Sequence, residues 1–232
     1  VNTGTPLVLK HYNSIYSRKW HPHDAMRDEA LAETVAYIKS SMTEAVVKDD
    51  QFGVLSFACK QDLVDGLTLE FGVRTGTTIN HLSKCLPENT IFGFDSFEGL
   101  PAAWSGWSME KGAFAREELP HVRDNVVLVR GWFDQSLPAF LAENPGTVSL
   151  VHIDSDIYSS AKTILDNIAN RVSPGTIIVF NEYFNYPNWQ QHEFRAFKEF
   201  CEQYQVDYDY ICWGQFEVAV RLNAIENLPT SG

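Results

Sequence analysis

The sequence predicts an α/β fold: a seven-stranded, mostly parallel sheet with helices on both faces and a reversed last strand. Three observations predict it. From Leu67 onward, short β-prone runs alternate with segments of helical spacing, which is the pattern of a parallel sheet. Two β-prone runs follow each other directly near the end, so the last strand should run antiparallel. Polar or glycine-containing residues follow five predicted strands, and in a parallel sheet these strand ends share one edge.

Composition narrows the class of partner. The 232-residue chain has a formal net charge of −12, and 44% of its residues are hydrophobic, enough for the core of one domain. An acidic surface repels phosphates and anionic lipids, so we expect a small-molecule substrate, no nucleic acid and no membrane. The four cysteines form no C-x-x-C pair, no apolar run approaches about 20 residues, and no signal peptide opens the chain. These features predict reduced thiols and a cytoplasmic location.

The N-terminal part, residues 1–65, is predicted to be a helical cap or lid segment within a single domain. Asp24 is the expected N-cap of a helix over residues 25–40. That helix has an apolar stripe at helical spacing, namely Leu31, Val35 and Ile38. A second helix is predicted over residues 50–64.

The core is predicted over residues 66–222, with residues 223–232 as a tail. Its expected strands cover residues 67–71, 90–94, 126–129, 148–153, 176–180, 207–212 and 216–221. Helices are expected over residues 77–86, 137–142, 159–171 and 189–203, the last with a core-facing stripe of Phe194, Phe197, Phe200 and Tyr204. A short turn at Trp213-Gly214 joins the last two strands into a hairpin.

A long loop and an aromatic N-terminal stretch stand out from this pattern. Residues 96–124 form a loop that is long for a compact domain, and its aromatic residues favour a lid over a linker. Trp104 and Trp107 are the lid residues expected to exclude water from the site. Aromatic residues between positions 12 and 20 favour a second copy of the chain as a partner, so we expect a homodimer, with the oligomeric state left open.

The first strand of the core leads into a glycine turn and a helix start. The stretch Leu67-Thr68-Leu69-Glu70-Phe71-Gly72-Val73-Arg74-Thr75-Gly76 is followed by Thr77 and Thr78. Glycine lets the backbone approach a ligand closely, and free N–H groups at a helix start favour negative charge. An acid, Glu70, lies at the strand end and no lysine follows, which suits a ligand with hydroxyl and amino groups better than a triphosphate.

The ends of the next two strands complete a nucleoside site. Asp95 lies 25 residues after Glu70, where an acidic side chain can accept both hydroxyls of a ribose; a turn or N-cap aspartate is the other reading. Gly131, Trp132 and Phe133 would flank an adenine ring, although the two aromatic residues could equally be core.

Polar residues after two later strands point to the reaction. Asp154, Asn181 and Glu182 offer three oxygen ligands suited to Mg²⁺ or Ca²⁺, and Asp156 could act as a base. Solvated turn residues, or a cluster that orients the substrate, are the alternatives. His192 could be a second base or an exposed helix residue, and His152 is expected to be a core residue. His21 and His23 could close over the site.

At this point the sequence resembles the class I S-adenosylmethionine-dependent methyltransferases. The glycine stretch Glu70–Gly76 is similar to their first motif, and the terminal hairpin to their reversed seventh strand, so a Rossmann-like sheet is implied. Two further stretches resemble the macrocin O-methyltransferase group, Gly93-Phe94-Asp95-Ser96-Phe97-Glu98-Gly99-Leu100-Pro101 and Val151-His152-Ile153-Asp154-Ser155-Asp156-Ile157-Tyr158. Those enzymes act on sugars and other hydroxyls in natural-product biosynthesis.

The resemblance implies S-adenosylmethionine as cofactor and assigns the site. The implied cofactor contacts are Glu70, Gly72, Val73, Gly76, Thr77, Thr78, Asp95, Ser96, Gly131, Trp132, Phe133 and Asp154. The implied catalytic residues are Asp154, Asp156 and His192, with Asp156 as the base. In that group an aspartate and an Asp-Asp pair hold a divalent metal; here the pair is Asn181-Glu182, which leaves both Mg²⁺-assisted and metal-independent O-methylation open.

Two alternatives in other classes stay open. An NAD(P)-dependent oxidoreductase also uses a glycine turn and an acidic ribose ligand, but it predicts G-x-G-x-x-G, whereas the spacing here is Gly72-x-x-x-Gly76. A non-catalytic methyltransferase-like module that binds a partner is the other alternative, and the departure at Asn181 fits it.

Overall fold

The computed structural model describes residues 21–227. Its strands are β1 Val46–Val47, β2 Leu67–Phe71, β3 Ile91–Asp95, β4 Val126–Arg130, β5 Val148–Ile153, β6 Ile177–Phe180, β7 Val206–Trp213 and β8 Val218–Ile225. Its helices are α1 Pro22–Ser41, α2 Gln51–Cys59, α3 Thr77–Cys85, α4 Phe133–Glu143, α5 Tyr158–Ile168 and α6 Glu193–Tyr204, with a 3₁₀ turn at Trp189–Gln191. The predicted tract at residues 12–20 lies outside the described residues.

The described strands form one sheet in the order β1-β7-β8-β6-β5-β2-β3-β4. Only β8 is antiparallel to its neighbours, β6 and β7. The predicted mostly parallel sheet with a reversed last strand is therefore confirmed. Within residues 21–227 the sheet has eight strands instead of the predicted seven, because β1 pairs in parallel with the C-terminal end of β7. A two-residue strand is too short to show a periodicity, so no sequence pattern predicts it.

Alternate residues of the central strands face two separate layers. Val151 of β5 packs in the same cluster as Ile164 of α5 and Phe197 of α6. The neighbouring Leu150 packs instead with Val54 of α2 and Leu82 of α3. Helices therefore cover both faces, as expected for a parallel strand such as β5 that is buried along its whole length. The predicted core stripe of α6 is confirmed, since Phe197, Phe200 and Tyr204 are buried, with Phe194 packed at its edge.

The first described helix begins earlier than predicted. His21 is the N-cap in place of Asp24, and its Nδ1 accepts a hydrogen bond from the His23 N–H. Pro22 then occupies the first turn, where its fixed φ and missing N–H are tolerated. Pro22 is the helix-start signal that the prediction did not use.

The buried face of α1 also differs from the prediction. Ala30 and Thr34 are buried, whereas Leu31 and Val35 are 49% and 41% exposed. The helix lies against the 185–193 segment, where the Asn185 N–H donates to Thr34 Oγ1 at 3.0 Å. Of the predicted stripe, only Ile38 packs against the core, so the stripe identifies the packed face only in part.

Two other helices are shorter than predicted. Helix α2 ends at Cys59, and Asp50 is its N-cap, accepting from the Gly53 N–H at 2.8 Å. The segment predicted as one helix over residues 189–203 divides at His192 into the 3₁₀ turn and α6. This break lies next to the site described below.

The topology places a crevice between β2 and β5. The chain continues from β2 outward to β3 and β4, and then returns to the other side of β2 with β5 and β6. Ligands of open parallel sheets bind outside the carboxyl ends of the strands at such a reversal. Within the described residues, no helix is both long and apolar enough to cross a bilayer. The four cysteines are free thiols.

Candidate active site

A cavity of about 350 Å³ lies at the carboxyl ends of the strands. This volume falls within the range of small-molecule sites. Its walls come from the glycine turn, the end of β3, the lid, the start of α4 and the ends of β5 and β6. Most of the predicted site residues line it, namely Gly72, Val73, Thr77, Thr78, Asp95, Ser96, Trp132, Phe133, Asp154, Asp156, Asn181 and Glu182. Glu70, Gly76, Gly131 and His192 are not part of the lining.

Gly72 brings the ends of β2 and β5 into close contact. Its φ is +95°, and a Cβ at this position would lie 1.7 Å from the Asp154 carbonyl oxygen. No other residue fits without moving the Asp154 backbone. The glycine therefore positions one carboxylate of the site as well as opening the turn.

Glu70 is fully buried beneath the cavity floor. Its carboxylate accepts hydrogen bonds from Thr78 Oγ1 at 2.9 Å and from His152 Nδ1 at 3.0 Å. Burial lowers the pKa of His152, but the bond to Glu70 and the nearby Asp154 raise it, and the net direction is upward. Glu70 thus joins β2, β5 and the start of α3, and His152 is the core residue that the sequence predicted.

Asp95 holds two stretches of backbone at the cavity wall. Its Oδ2 accepts from the Arg74 N–H and its Oδ1 from the Phe97 N–H, each at 2.7 Å. Arg74 and Phe97 have φ values of +45° and +60°, a left-handed conformation that is strained for such residues. The aspartate therefore fixes the glycine turn and the start of the lid in addition to facing the cavity.

Three carboxylates converge on the opposite side of the cavity. Ligand oxygens of Asp154, Asp156 and Glu182 all lie within 4.8 Å of one another. Burial, followed by neighbouring carboxylates, raises the pKa of Asp154 and Glu182 well above their ordinary values. Burial also raises the pKa of Asp156 to about 7, although Arg74 opposes the shift. Such a cluster holds shared protons or a cation at neutral pH.

Two oxygens of this side of the cavity fit a cation or a hydroxyl donor. Asn181 Nδ2 donates to Glu182 Oε1 at 2.7 Å. Asn181 Oδ1 and Glu182 Oε2 are buried and have no hydrogen-bond partner among the described residues. An all-oxygen set with unused acceptors is the donor chemistry that Mg²⁺ prefers. Asp156 thus joins Asp154 and Glu182 in the cluster, while Asn181, which the sequence placed among the ligands, contributes a neighbouring free oxygen.

Asp156 occupies a strained turn. Its φ is +64°, and the Ile157 N–H donates to the Ser155 carbonyl at 2.7 Å, which closes a three-residue γ-turn across it. This conformation costs about 1–3 kcal/mol for a residue with a side chain and persists only when its surroundings fix it. Nothing in the sequence signalled it.

Glu193, in the first turn of α6, is a site residue that the sequence reading missed. It is fully buried, and its two oxygens accept from the Ser155 N–H and the Glu182 N–H, both at 3.1 Å. Burial raises the pKa of Glu193 to about 8 against the effect of the hydrogen bond from Ser155. Acids are common at helix starts, so the sequence alone does not separate this one from a solvated residue.

His192 contacts the lid instead of the cavity. Its Nε2 lies 3.0 Å from Ser105 Oγ and 2.9 Å from the Ser105 carbonyl oxygen. Burial lowers its pKa. Its assignment as a catalytic residue stays a prediction; in this structure it anchors the lid.

The lid closes over the cavity through close backbone contacts. Trp104 is 5% exposed, lines the cavity and packs edge-on against Tyr186. A Cβ on Gly106 would lie 1.7 Å from the Pro187 carbonyl oxygen. His23 Nε2 lies 3.1 Å from the Gly106 carbonyl oxygen, so the start of α1 touches the lid. Neither His21 nor His23 lines the cavity, so their closing over the site stays a prediction.

Comparison with known proteins gives one family for this chain. Residues 69–183, about half of the chain, match the family described as "Methyltransferase domain". A protein of Streptomyces olivaceus, 8-demethyl-8-(2,3-dimethoxy-alpha-L-rhamnosyl)-tetracenomycin-C 4'-O-methyltransferase, is 32% identical over 60 residues. That match covers 26% of this chain and only 22% of that protein.

Solved structures support the same assignment. CalS11, described as calicheamicin methyltransferase, has a TM-score of 0.56 at 26% identity, over 68% of this chain and 72% of that one. A second CalS11 structure, described as TDP-rhamnose 3'-O-methyltransferase, has a TM-score of 0.52 at 25% identity, over 73% of this chain and 76% of that one. The O-methyltransferase NovP shares the fold, with a TM-score of 0.57 at 18% identity over 75% and 79% of the two chains. The chain therefore carries a methyltransferase domain over residues 69–183, and its sheet order agrees with that family.

Proposed function

We propose that the chain transfers a methyl group from S-adenosylmethionine to a hydroxyl of a small molecule, a sugar or another natural product. The observation that carries the proposal is one cavity with two chemically different walls. The glycine turn and Asp95 lie on one wall, and the buried cluster of Asp154, Asp156 and Glu182 lies on the other. The first wall suits binding of a nucleoside, and the second wall suits deprotonation of a hydroxyl.

The cofactor would lie along the glycine turn. Asp95 and Ser96 would accept the ribose hydroxyls, and Trp132 and Phe133 would pack against the adenine, since all four line the cavity. Gly72, Val73, Thr77 and Thr78 would face the remainder of the cofactor, since they line the cavity at the helix start. Glu70 and Gly76 would act from behind this wall, by holding the turn and the start of α3.

The reaction requires alignment and the loss of one proton. The sulfonium methyl is already activated, so the protein holds the acceptor oxygen about 3 Å from it in line with the leaving sulfur. Asp156 would take the acceptor proton, because its pKa of about 7 suits a general base at neutral pH. The lid, with Trp104 over the cavity, would exclude water.

Asp154 and Glu182 would hold a divalent cation such as Mg²⁺, which leaves Asp156 free to act as the base. When bound, the ion would lower the pKa of an acceptor hydroxyl. Asn181 would orient Glu182 through its Nδ2 and present its free Oδ1 to the ion or the acceptor.

The sugar or natural-product acceptor is proposed from the relatives. The Streptomyces protein is a rhamnosyl-tetracenomycin O-methyltransferase, and CalS11 is described as acting on TDP-rhamnose. In this chain, an indole ring and several carboxylates share the cavity, an arrangement that suits the apolar and hydroxylated faces of a sugar.

A direct assay tests the proposed activity. The purified chain is incubated with S-adenosylmethionine and a panel of hydroxylated acceptors, including free sugars, nucleotide sugars and glycosides, with and without EDTA. We expect S-adenosylhomocysteine and a product heavier by one methylene, with turnover lost in EDTA and restored by Mg²⁺. Turnover that ignores EDTA would remove the metal from the proposal and leave the methyl transfer.

Calorimetry separates the alternatives. S-adenosylmethionine should bind and NAD⁺ should not. Binding of NAD⁺ alone would support the oxidoreductase, and binding of neither would leave the non-catalytic module.

Two further expectations belong to the same proposal. A homodimer is favoured by the exposed Leu31 and Val35 on α1, and light scattering on the purified chain tests it. A cytoplasmic location is favoured by the four free cysteines.

A further inference from the structure

Glu193 lies behind the carboxylate cluster and contacts both loops that carry it. One loop follows β5 and holds Asp154 and Asp156; the other follows β6 and holds Asn181 and Glu182. No side-chain hydrogen bond between the described residues directly joins the first loop to the second. The Glu193 carboxylate supplies the connection, with Oε1 on the Ser155 N–H and Oε2 on the Glu182 N–H, each at 3.1 Å.

These two bonds determine the distance between the carboxylates. Ser155 lies between Asp154 and Asp156, and the Glu182 N–H belongs to the residue that supplies the third carboxylate. The two oxygens of a carboxylate lie a fixed distance apart. The two N–H groups that donate to them are therefore held at a set separation. The Glu193 side chain is fully buried, which leaves it no freedom to move between partners.

The same contact stabilises the strained turn at Asp156. The residue has a φ of +64°, and the turn closes through the Ile157 N–H and the Ser155 carbonyl. The N–H of the preceding residue, Ser155, donates a hydrogen bond to Glu193. Without that acceptor, a residue with a side chain would relax toward negative φ and carry its carboxylate away from the cavity.

We propose that Glu193 is a positioning residue for methyl transfer: it joins the loops after β5 and β6 and aims Asp156 into the cavity without touching cofactor or acceptor. The inference rests on the proposed function for its kinetic consequence, but its structural consequence is independent of any activity. Loss of the acceptor pair should loosen both loops and lower kcat, while the cofactor wall around Asp95 is unchanged.

The test compares Glu193→Gln with Glu199→Gln. Glu199 lies on the same helix and also accepts two hydrogen bonds, from Tyr158 and Arg195, but it lies outside the cavity lining. Hydrogen exchange of the cofactor-free proteins should speed up in peptides over residues 154–157 and 181–184 for Glu193→Gln only. Unchanged exchange in both peptides would overturn the proposal even if the wild type shows no methyl transfer.

Steady-state kinetics distinguish a positioning role of Glu193 from a general loss of structure. In Glu193→Gln, kcat should fall on the order of 100-fold, with the KM for S-adenosylmethionine within about threefold of wild type. In an Asp156→Asn background the same substitution should change kcat by less than about threefold, because residue 156, which Glu193 positions, can no longer act as the base. A full effect in that background, or wild-type kcat in the single variant, would contradict the proposal.

If Glu193→Gln does not fold, Glu193→Asp provides the second variant. It keeps both acceptor oxygens on a shorter side chain that cannot reach both loops. Faster exchange in at least one of the two peptides supports the proposal, and wild-type exchange in both overturns it. Absence of turnover in the wild type would count against the proposed function, while the exchange result still decides the role of Glu193.

Discussion

The acidic residues of this site differ in what they contact, although they look alike in the sequence. Asp95 faces the cavity and also accepts two backbone N–H groups, whereas Glu70 is fully buried between Thr78 and His152. Positions at strand ends predicted which acids come together, because the carboxyl ends of parallel strands share an edge. The sequence could not separate ligand-facing acids from supporting ones, since that distinction depends on contacts with distant residues such as Glu193.

Substitution of Asp95 should weaken cofactor binding. Asp95→Ala removes the ribose acceptor and frees the N–H groups of Arg74 and Phe97, so affinity for S-adenosylhomocysteine should fall at least about tenfold. Calorimetry measures it, with Asp166→Ala as a control because Asp166 is an exposed acid paired with Lys162. Unchanged affinity in Asp95→Ala would remove the ribose assignment.

The lid and the helix starts show why elements were predicted better than their ends. Strands β2 and β5 match the predicted bounds, because short β-prone runs that follow turn residues are strong signals. The start of α1 at Pro22 and the break at His192 depend on caps and on contacts with the lid, which a periodicity does not contain. The lid was predicted from its length and aromatic residues. Its contact with Pro187 could not be predicted from the sequence, because the two segments are far apart along the chain.

Two glycines of the lid make a matched pair. Gly106 and Gly112 both have positive φ, at +93° and +82°, but only Gly106 would place a Cβ against neighbouring backbone, at 1.7 Å from the Pro187 oxygen. Gly112→Ala should cost about 1 kcal/mol of stability from backbone strain alone. Gly106→Ala should also lift the lid, so limited proteolysis within residues 96–124 should be faster than in Gly112→Ala. Equal cleavage of the two variants would show that the close approach does not hold the lid.

The whole chain combines an acidic surface with a buried cluster of acids. The fold class and most of the residues that line the cavity were predicted from the sequence, because strand–helix alternation and strand ends reflect the arrangement of the whole sheet. The eighth strand and the packed face of α1 did not, since they depend on pairing and contacts between distant segments. The cluster has a consequence for the stability of the molecule.

Stability should fall as the pH rises toward 8. The pKa of Asp156 is raised from 3.8 to about 7 and that of Glu193 from 4.5 to about 8, so the folded chain retains protons that the unfolded chain has released. Their contribution is complete below the unfolded values and is lost as the pH rises through the folded ones; the raised pKa of His152 acts in the same direction. The lowered pKa values of His81 and His192 reduce stability only as the pH falls.

Urea unfolding between about pH 6.5 and 8 measures this loss, which is at most about 1.4 kcal/mol per pH unit for each group. Asp156→Asn should flatten the slope, and Mg²⁺ should restore stability at the higher pH. A free energy of unfolding that is constant or rises over this range would contradict the buried cluster.

Methyl transfer by Asp156→Asn addresses the assignment of the reaction centre. The variant keeps the size of the side chain but removes the base, so the cofactor wall should be intact. With an acceptor that the wild type methylates, the single-turnover rate of transfer from labelled S-adenosylmethionine should fall at least about 100-fold. Affinity for S-adenosylhomocysteine should stay within about threefold of wild type. Transfer at the wild-type rate would contradict the account, because it would place the proton acceptor outside the cluster of Asp154, Asp156 and Glu182.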